Sequence, residues 1–296
     1  MKQTRYLLLL LAVMMLPQLQ TAMCAAVVGE VNMDGFTFRL YKETNHNYAL
    51  LLKPADSYTG GDLTLSSYKV TYNSTTYIIE GVFSDAFKNK TGLGIIDLRK
   101  ATSLTYVGSS AFSTTTFSYN GTVLLPSSCT ELKSSAFSGS NISSIDLSNI
   151  TTLGQGCFSN TTELETLSLP KVTALPGSAF SDSNIKSLNA PLATSVGAYC
   201  FLRAKQLRSF DFPQLVTIES QAFSYSGLCQ IVLPATVTSI GFAAFSNCPE
   251  LHTVVSKISN PFDAATNMFQ PADDCTLVVP SSATSKYNDK GWAAFF

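Results

Sequence analysis

Apolar residues recur along most of the chain at a fixed interval, and each repeat ends with a small residue followed by phenylalanine. The clearest copy runs from Val237 to Leu251. Eight copies carry the phenylalanine, namely Phe87, Phe112, Phe137, Phe158, Phe180, Phe201, Phe223 and Phe245. Their separations are 25, 25, 21, 22, 21, 22 and 22 residues. A period of this length over most of a chain is typical of a solenoid built from stacked coils.

Each repeat begins with a short apolar strand that usually ends at proline. Ile231-Val232-Leu233-Pro234 is representative. Alternation along a strand directs the first and third side chains inward and the middle one outward. Proline ends the ladder because it has no amide hydrogen to donate.

The second half of each repeat has a different spacing. Ile240, Ala244, Phe245, Cys248 and Leu251 lie at intervals that predict a helical or 3₁₀ turn with one buried stripe. Stacking places equivalent strands ~4.8 Å apart, so eight or nine coils would form a curved rod about 40 Å long. We expect the phenylalanines to form one internal column along this rod.

The repeat divides the chain into regions. Residues 27–80 lack it and alternate strand-like runs with turn clusters, which predicts an N-terminal β cap over the open end of the stack. Residues 81–260 form the predicted solenoid, and residues 261–296 form a C-terminal capping repeat. Trp292 is expected to pack on the last coil. The alternative is that the aromatic residues of this tail form a ligand platform.

The first residues resemble an export signal. Lys2 and Arg5 precede an apolar run at 6–16, and small residues follow, so residues 1–24 are predicted to be a signal peptide. The run is too short to cross a bilayer as a stable helix, and no later stretch predicts a membrane span. The mature protein is expected to be secreted or at the cell surface, in the outer membrane or outside the cell. A lipid anchor at Cys24 is the alternative to free secretion.

The amino-acid composition limits the classes of partner that the protein is expected to bind. Only 13% of the residues are charged and the net charge is -1, which does not suggest a nucleic-acid surface. Serine, threonine and asparagine supply the polar surface instead.

The unit Leu/Ile-x-Leu-Pro, followed by Val-Thr-x-Ile-Gly-x-x-Ala-Phe-x-x-Cys-x-x-Leu, resembles the leucine-rich repeats of BspA-like surface proteins over about residues 76–296. The ending, 275–296, is similar to the last turn of such exported proteins in Bacteroides-type bacteria. The resemblance implies a mainly β, right-handed leucine-rich repeat solenoid with short helical or 3₁₀ turns and a cap at each end. It also implies export, surface display and adhesion to host proteins or other bacteria. Ser148 in place of proline, and a cysteine slot filled only by Cys248, depart from the pattern.

Six cysteines follow Cys24. Cys157 and Cys200 occupy the same slot two coils apart, about 9.6 Å, which exceeds the ~7 Å limit between the Cα atoms of a disulfide. We therefore expect the six to be thiols packed as small hydrophobic residues.

Catalytic and metal motifs are missing from the sequence, which contains two histidines and no HExxH, GxSxG or phosphate-loop pattern. Cys248 and His252 form an isolated pair rather than a set of four zinc ligands. Asp273 and Asp274 are either weak calcium ligands or a solvated turn. No cofactor, metal or enzymatic activity is predicted.

The outward strand positions form the predicted binding face, because solenoids commonly bind along such extended surfaces. The alternative is that these side chains merely suit a soluble strand. The face consists of Asp97, Thr122, Ser144, Asp146, Thr166, Ser168, Ser187, Asn189, Ser209 and Asp211.

Three functions are considered, of which the first is the one that we predict. The first is binding of a protein partner, either a host matrix protein or a bacterial surface protein. The second is glycan binding through aromatic side chains and Asp or Asn, in a polysaccharide-handling system. An enzyme is the third. The aromatic residues best placed for the second are on turns, at Tyr119, Tyr199, Tyr225 and Phe242.

Overall fold

The computed structural model describes residues 25–118, 121–271 and 275–296. The predicted signal peptide and Cys24 lie outside the described residues. The fold is mainly β, a solenoid of about 8 coils. One short α-helix, α1 (Thr284–Asp289), lies near the C-terminal end, between 3₁₀ turns at Ser281–Ala283 and Trp292–Phe295. The predicted leucine-rich repeat solenoid is confirmed.

The N-terminal region is a small sheet that continues into the repeats. Its strands are β1 (Ala26–Met33), β2 (Phe36–Lys42), β3 (Asn47–Pro54), β4 (Gly61–Thr64), β5 (Lys69–Tyr72) and β6 (Thr75–Val82). β1, β2 and β3 pair antiparallel, and β5 pairs antiparallel with β6. β3 runs parallel to β6, and β4 runs parallel to the first repeat strand, β7 (Thr91–Asp97). β6 thus crosses the boundary predicted between residues 80 and 81.

Two parallel ladders run along the repeats. The first, formed by the apolar strands, consists of β7, β10 (Thr122–Leu124), β12 (Ser144–Ile145), β14 (Thr166–Ser168), β16 (Ser187–Asn189), β19 (Gln230–Leu233), β22 (Thr253–Ser256) and β24 (Thr276–Val278). The second consists of β6, β8 (Tyr106–Val107), β11 (Glu131–Leu132), β13 (Thr152–Leu153), β15 (Ala174–Leu175), β17 (Ser195–Val196), β18 (Thr217–Ile218) and β20 (Ser239–Ile240). Short strands β9 (Thr116–Phe117), β21 (Phe245–Cys248) and β23 (Phe269–Pro271) complete the set.

A run of turns centred on the phenylalanine links the second ladder to the next apolar strand. The amide of Phe180 donates to the carbonyl of Cys200 in the next coil, at 2.8 Å. The amide of Ser181 donates within its own coil, to the carbonyl of Ser178 at 3.2 Å. The predicted helical spacing therefore corresponds to turns of 3₁₀ type in which every second amide bonds to the neighbouring coil. Within the described repeats, none of these runs continues as a helix.

This alternation places two left-handed residues in each of the eight coils from Phe87 to Phe245, two positions before and two positions after the phenylalanine. Their φ angles lie between 51° and 69°. Asp, Asn, Ser and Gly tolerate this region best, because a short polar side chain or a missing Cβ relieves the clash with the carbonyl. The first position is held by Asp85, Ser110, Ser135, Gly156, Ser178, Tyr199, Gln221 and Ala243, and the second by Asn89, Thr114, Gly139, Asn160, Asp182, Arg203, Tyr225 and Asn247.

The phenylalanine rings form one buried column, as predicted. Neighbouring centroids from Phe87 to Phe269 lie 4.6–5.8 Å apart, with interplanar angles of 1–10°. Phe36 closes the N-terminal end edge-on, 6.4 Å from Phe87. Trp292 closes the other end, 5.9 Å from Phe269. The spacing matches the ~4.8 Å rise between paired strands.

Hydrogen bonds from buried polar groups connect the C-terminal cap to the last coils. The Tyr287 hydroxyl lies 2.6 Å from the Ser256 hydroxyl and donates to the Ile258 carbonyl at 2.9 Å. The Trp292 indole donates to the Phe262 carbonyl at 2.9 Å. Both Tyr287 and Trp292 are buried. Neither residue can therefore contribute to the ligand platform considered as the alternative for the aromatic tail, in which Phe296 is exposed.

Phe180→Ala should lower the free energy of unfolding by about 3–5 kcal/mol, because it removes a fully buried ring and leaves a cavity. Urea unfolding followed by circular dichroism measures the change. Phe242→Ala is the control, since the Phe242 side chain is exposed. A loss below about 1 kcal/mol for Phe180→Ala would contradict the buried column.

Asn160→Val should destabilise the protein by about 1–2 kcal/mol, because a β-branched residue fits the left-handed region poorly. Asn160→Gly should have little effect, since Asn160 is exposed and has a φ of 56°. Thr162→Val, at an exposed neighbouring position, controls for the change of side chain. Equal stabilities for the two valine variants, measured by urea unfolding, would refute the assigned backbone.

Candidate binding surfaces

The first ladder projects two rows of side chains outward, because the apolar residues between them face the core. The strand register aligns Thr122 with Ser144, Thr166 with Ser187, and Ser168 with Asn189. The first row comprises Ile95, Thr122, Ser144, Thr166, Ser187, Gln230, Thr253 and Thr276. The second comprises Asp97, Leu124, Asp146, Ser168, Asn189, Val232, Val255 and Val278. Eight of the ten predicted face residues therefore lie on this strand surface.

The other two, Ser209 and Asp211, are exposed but do not continue the ladder. No strand is formed at 209–212, and the ladder stops at β16 and resumes at β19. Phe210 and Phe212 take the inward positions that smaller aliphatic residues fill elsewhere, with their ring centroids 5.2 Å apart. The prediction of a strand in this coil is wrong, and the two large rings coincide with the break.

Hydrogen bonds between coils fix several face residues. The hydroxyls of Thr122 and Ser144 lie 2.9 Å apart, and the Asn189 amide donates to the Ser168 hydroxyl at 3.2 Å. Within a single coil, Arg99 donates to both carboxylate oxygens of Asp97, at 2.7–3.2 Å. These bonds hold the pKa of Asp97 below its ordinary value. The face is therefore ordered along its polar part.

The second outward row changes character near the C-terminal end. Three valines, Val232, Val255 and Val278, are aligned there by the strand register. The exposed fraction is 39% for Val232 and 47% for Val278. Sequence reasoning missed this apolar stretch because it classified the row by its polar members. The signal was present in the middle residue of Ile231-Val232-Leu233.

Three of the four aromatic residues singled out from the sequence are exposed on turns. The exposed fractions are 41% for Tyr199, 49% for Tyr225 and 50% for Phe242. Tyr119 lies outside the described residues. No aromatic residue stands on the described outward rows of the first ladder, so these rings do not share a surface with the predicted face.

The six cysteines of the described chain are free thiols. Cys157 and Cys200 fill the slot before the phenylalanine and are fully buried, with Ala179 in the same slot of the coil between them. Burial raises the pKa of both thiols and raises that of Cys129 to about 12. These groups are packed as neutral hydrophobic side chains, as the repeat register predicts.

Metal ligands do not cluster in the structure. Among the described residues, no three or more His, Cys, Asp or Glu side chains are grouped to hold an ion. Cys248 is buried beside the Ser226 hydroxyl at 3.4 Å, whereas His252 is exposed and contacts Thr253 at 3.0 Å. Asp273 and Asp274 lie outside the described residues.

Comparison with known proteins identifies the family. The profile of the BspA type leucine rich repeat region matches in 6 copies, at residues 80–203 and 178–285. These ranges span more than half of the 296 residues, and the chain therefore belongs to this family. A comparison with curated proteins found no match.

Three solved leucine-rich repeat proteins match this chain, and one of them has a TM-score above 0.5. A leucine-rich repeat protein from Bacteroides ovatus is 18% identical, with a TM-score of 0.54 over 86% of this chain and 80% of that chain. A leucine-rich repeat protein from T. pallidum is 16% identical, with a TM-score of 0.28 over 89% and 96%. A leucine rich cell surface protein from Faecalibacterium prausnitzii is 15% identical, with a TM-score of 0.25 over 78% and 95%. The first of these shares the solenoid.

The free energy of unfolding should fall as the pH rises above about 9. Burial raises the pKa of Cys157 and Cys200 above the ordinary value of 9.0, so the folded chain binds more protons than the unfolded chain in this range. Urea unfolding at pH 8 and pH 10.5, which lie below and above the unfolded thiol pKa of about 8.5–9, measures the loss.

The double variant Cys157→Ala, Cys200→Ala should lose less stability over the same pH interval. Alanine fits this slot, because Ala111, Ala136 and Ala179 fill it in other coils. An identical pH dependence of the variant and the original chain would show that these thiols do not titrate on unfolding.

Proposed function

We propose that this BspA type leucine-rich repeat protein is exported, displayed at the cell surface or secreted, and acts by binding a protein partner. The observation that carries the proposal is the extended outward face of the first ladder. Its residues are held in register by the strands and, along the polar part, by hydrogen bonds between coils. An ordered, broad surface suits a protein partner, because little side-chain freedom is lost on binding.

The chemistry of the face favours a protein over a glycan at this surface. Polar residues cover most of it and an apolar valine stretch, Val232, Val255 and Val278, adjoins them. Protein interfaces combine apolar and polar areas in this way. The described outward rows offer no aromatic ring on which a sugar could stack. Adhesion to a host matrix protein or to another bacterium's surface protein is the role we infer.

Export rests on the amino-terminal pattern and on the family. The basic start and apolar run at 1–24 favour a signal peptide, and Cys24 offers a lipid anchor as the alternative to free secretion. No helix in the described part of the chain is long and apolar enough to cross a membrane.

Binding without catalysis is also part of the proposal. His46 lies 2.7 Å from the Glu80 carboxylate, and His252 contacts Thr253. Among the described residues, neither histidine is hydrogen-bonded to a cysteine, so neither would activate a thiol nucleophile.

The double variant Asp146→Arg, Asn189→Arg should bind its partner at least about tenfold more weakly, a change of ~1.4 kcal/mol. Both residues are exposed on the face, and the new cations alter its charge and shape. Surface plasmon resonance against a panel of purified extracellular-matrix proteins, with adhesion to whole bacteria as a second format, provides the measurement.

The matched control is Thr152→Arg, Ser239→Arg, which places the same charges on exposed positions of the second ladder. It should bind as the original chain does. Equal weakening by both double variants, or no binding to any protein of the panel or to cells, would reject the proposal.

A further inference from the structure

A groove outside the predicted face lies between the turn segments and the start of the apolar strands, in the coils that contain Phe201, Phe223 and Phe245. Its volume is about 400 Å³, within the ~300–1,000 Å³ range of small-molecule sites. The lining side chains include three cations, one exposed aromatic ring and a proline, which are Arg203, Lys205, Arg208, Tyr225 and Pro249.

A glycine interrupts one column of side chains at the edge of the groove. Gly227 stands four residues after its phenylalanine, where the coils on either side carry Lys205 and Pro249. A Cβ atom at Gly227 would lie 2.1 Å from the carbonyl oxygen of Lys205, so the backbone of the two coils is too close for any side chain. Gly227 therefore allows the two coils to approach closely beside the groove, which it lines together with Lys205 and Pro249.

Contacts fix two of the three cations. Arg203 donates from Nε and Nη2 to the Asp182 carboxylate, at 2.6 and 3.1 Å. This pair holds the pKa of Asp182 below its ordinary value. Arg208 donates from Nη1 to the Gly227 carbonyl at 3.3 Å. Each guanidinium has five N–H donors, so both keep donors available for a ligand.

The remaining groups define the ligand further. Lys205 helps to lower the pKa of Asp182 by its charge, and Glu250 is the one carboxylate among the side chains that line the groove. The lining side chains therefore carry an excess of positive charge. Asn247 adds an amide, and Tyr225, half exposed at a left-handed position, adds a ring beside Pro249.

These groups suit a ring-shaped anion that carries hydroxyls. Arginine and lysine bind a carboxylate or sulfate, the Tyr225 ring and Pro249 cover an apolar ring face, and Asn247 and Glu250 accept hydrogen bonds from hydroxyls. A neutral sugar would leave the cations unused. A strongly acidic peptide would be repelled by Glu250 and has fewer donors to offer it.

We propose that this groove binds an acidic saccharide, through a pyranose unit that carries a carboxylate or a sulfate. Tyr225 supports the ring, Lys205 and the two arginines hold the anionic group, and Glu250 receives a hydroxyl. The site is independent of the strand face, so the face variants Asp146→Arg, Asn189→Arg leave saccharide binding unchanged.

Isothermal titration calorimetry on the full mature chain tests this with three trisaccharides: trigalacturonate, a sulfated galactose trimer and neutral maltotriose. The original chain should bind at least one of the two anionic probes, and at least about tenfold more tightly than maltotriose. The double variant Lys205→Gln, Tyr225→Asn should lose at least about tenfold in affinity for that probe.

The substitutions preserve the fold, because Asn160 and Asn247 hold the same left-handed position as Tyr225 in other coils. Lys186→Gln, on an exposed lysine outside the groove, is the matched control and should bind normally. Thermal unfolding confirms that all variants are folded.

Each result has one meaning. Binding of trigalacturonate alone identifies a carboxylated sugar, and binding of the sulfated trimer alone identifies a sulfated one. Four results overturn the proposal. The first two are binding of maltotriose as tight as that of the anionic sugars, and binding of triglutamate tighter than theirs. The other two are an unchanged affinity of the double variant for the anionic probe, and no binding of either anionic sugar up to about 10 mM.

Discussion

Each coil is joined to the next by backbone amides that alternate in direction around a buried phenylalanine. One amide turns back within its own coil and the next crosses to the neighbouring coil, as at Ser181 and Phe180. The alternation satisfies the polar backbone of the turns without a helix, which is needed because these turns are buried against other coils. It also demands a small residue before the phenylalanine, where Ala179 and Cys200 are fully buried.

The same spacing explains the sparse charge of the chain. Equivalent outward side chains of neighbouring coils stand ~4.8 Å apart, so a column of like charges would repel at every step. Serine, threonine and asparagine avoid that cost. Where charges do occur in adjacent coils they are often opposite, as in the pairs Asp182–Arg203 and Glu165–Lys186, each 2.6 Å apart. A surface of this kind owes its recognition to shape and hydrogen bonding more than to net charge.

The period of the phenylalanines was enough to predict the solenoid, the aromatic column and the thiol slots at Cys157 and Cys200. The alternating turns could not be predicted from the same residues. A helical or 3₁₀ turn would bury Ala244 and Phe245 and expose their neighbours. A run of turns whose amides alternate between coils buries the same residues. The two structures differ only in which carbonyl each amide contacts.

The departures from regularity depend on several coils at once. The break in the ladder coincides with Phe210 and Phe212, whose rings pack beside the phenylalanine column, and one repeat read alone still resembles a strand. The groove at Gly227 likewise needs Lys205 and Pro249 on either side. Both features arise from the packing of adjacent coils against one another, which one repeat of the sequence does not show.

Scalar coupling across hydrogen bonds, measured by NMR on the perdeuterated protein, tests the alternation most directly. We expect a correlation between the amide nitrogen of Phe180 and the carbonyl carbon of Cys200, which lies in the next coil. A correlation from Phe180 to the carbonyl of Pro176, four residues back, would indicate a helix and would contradict the account.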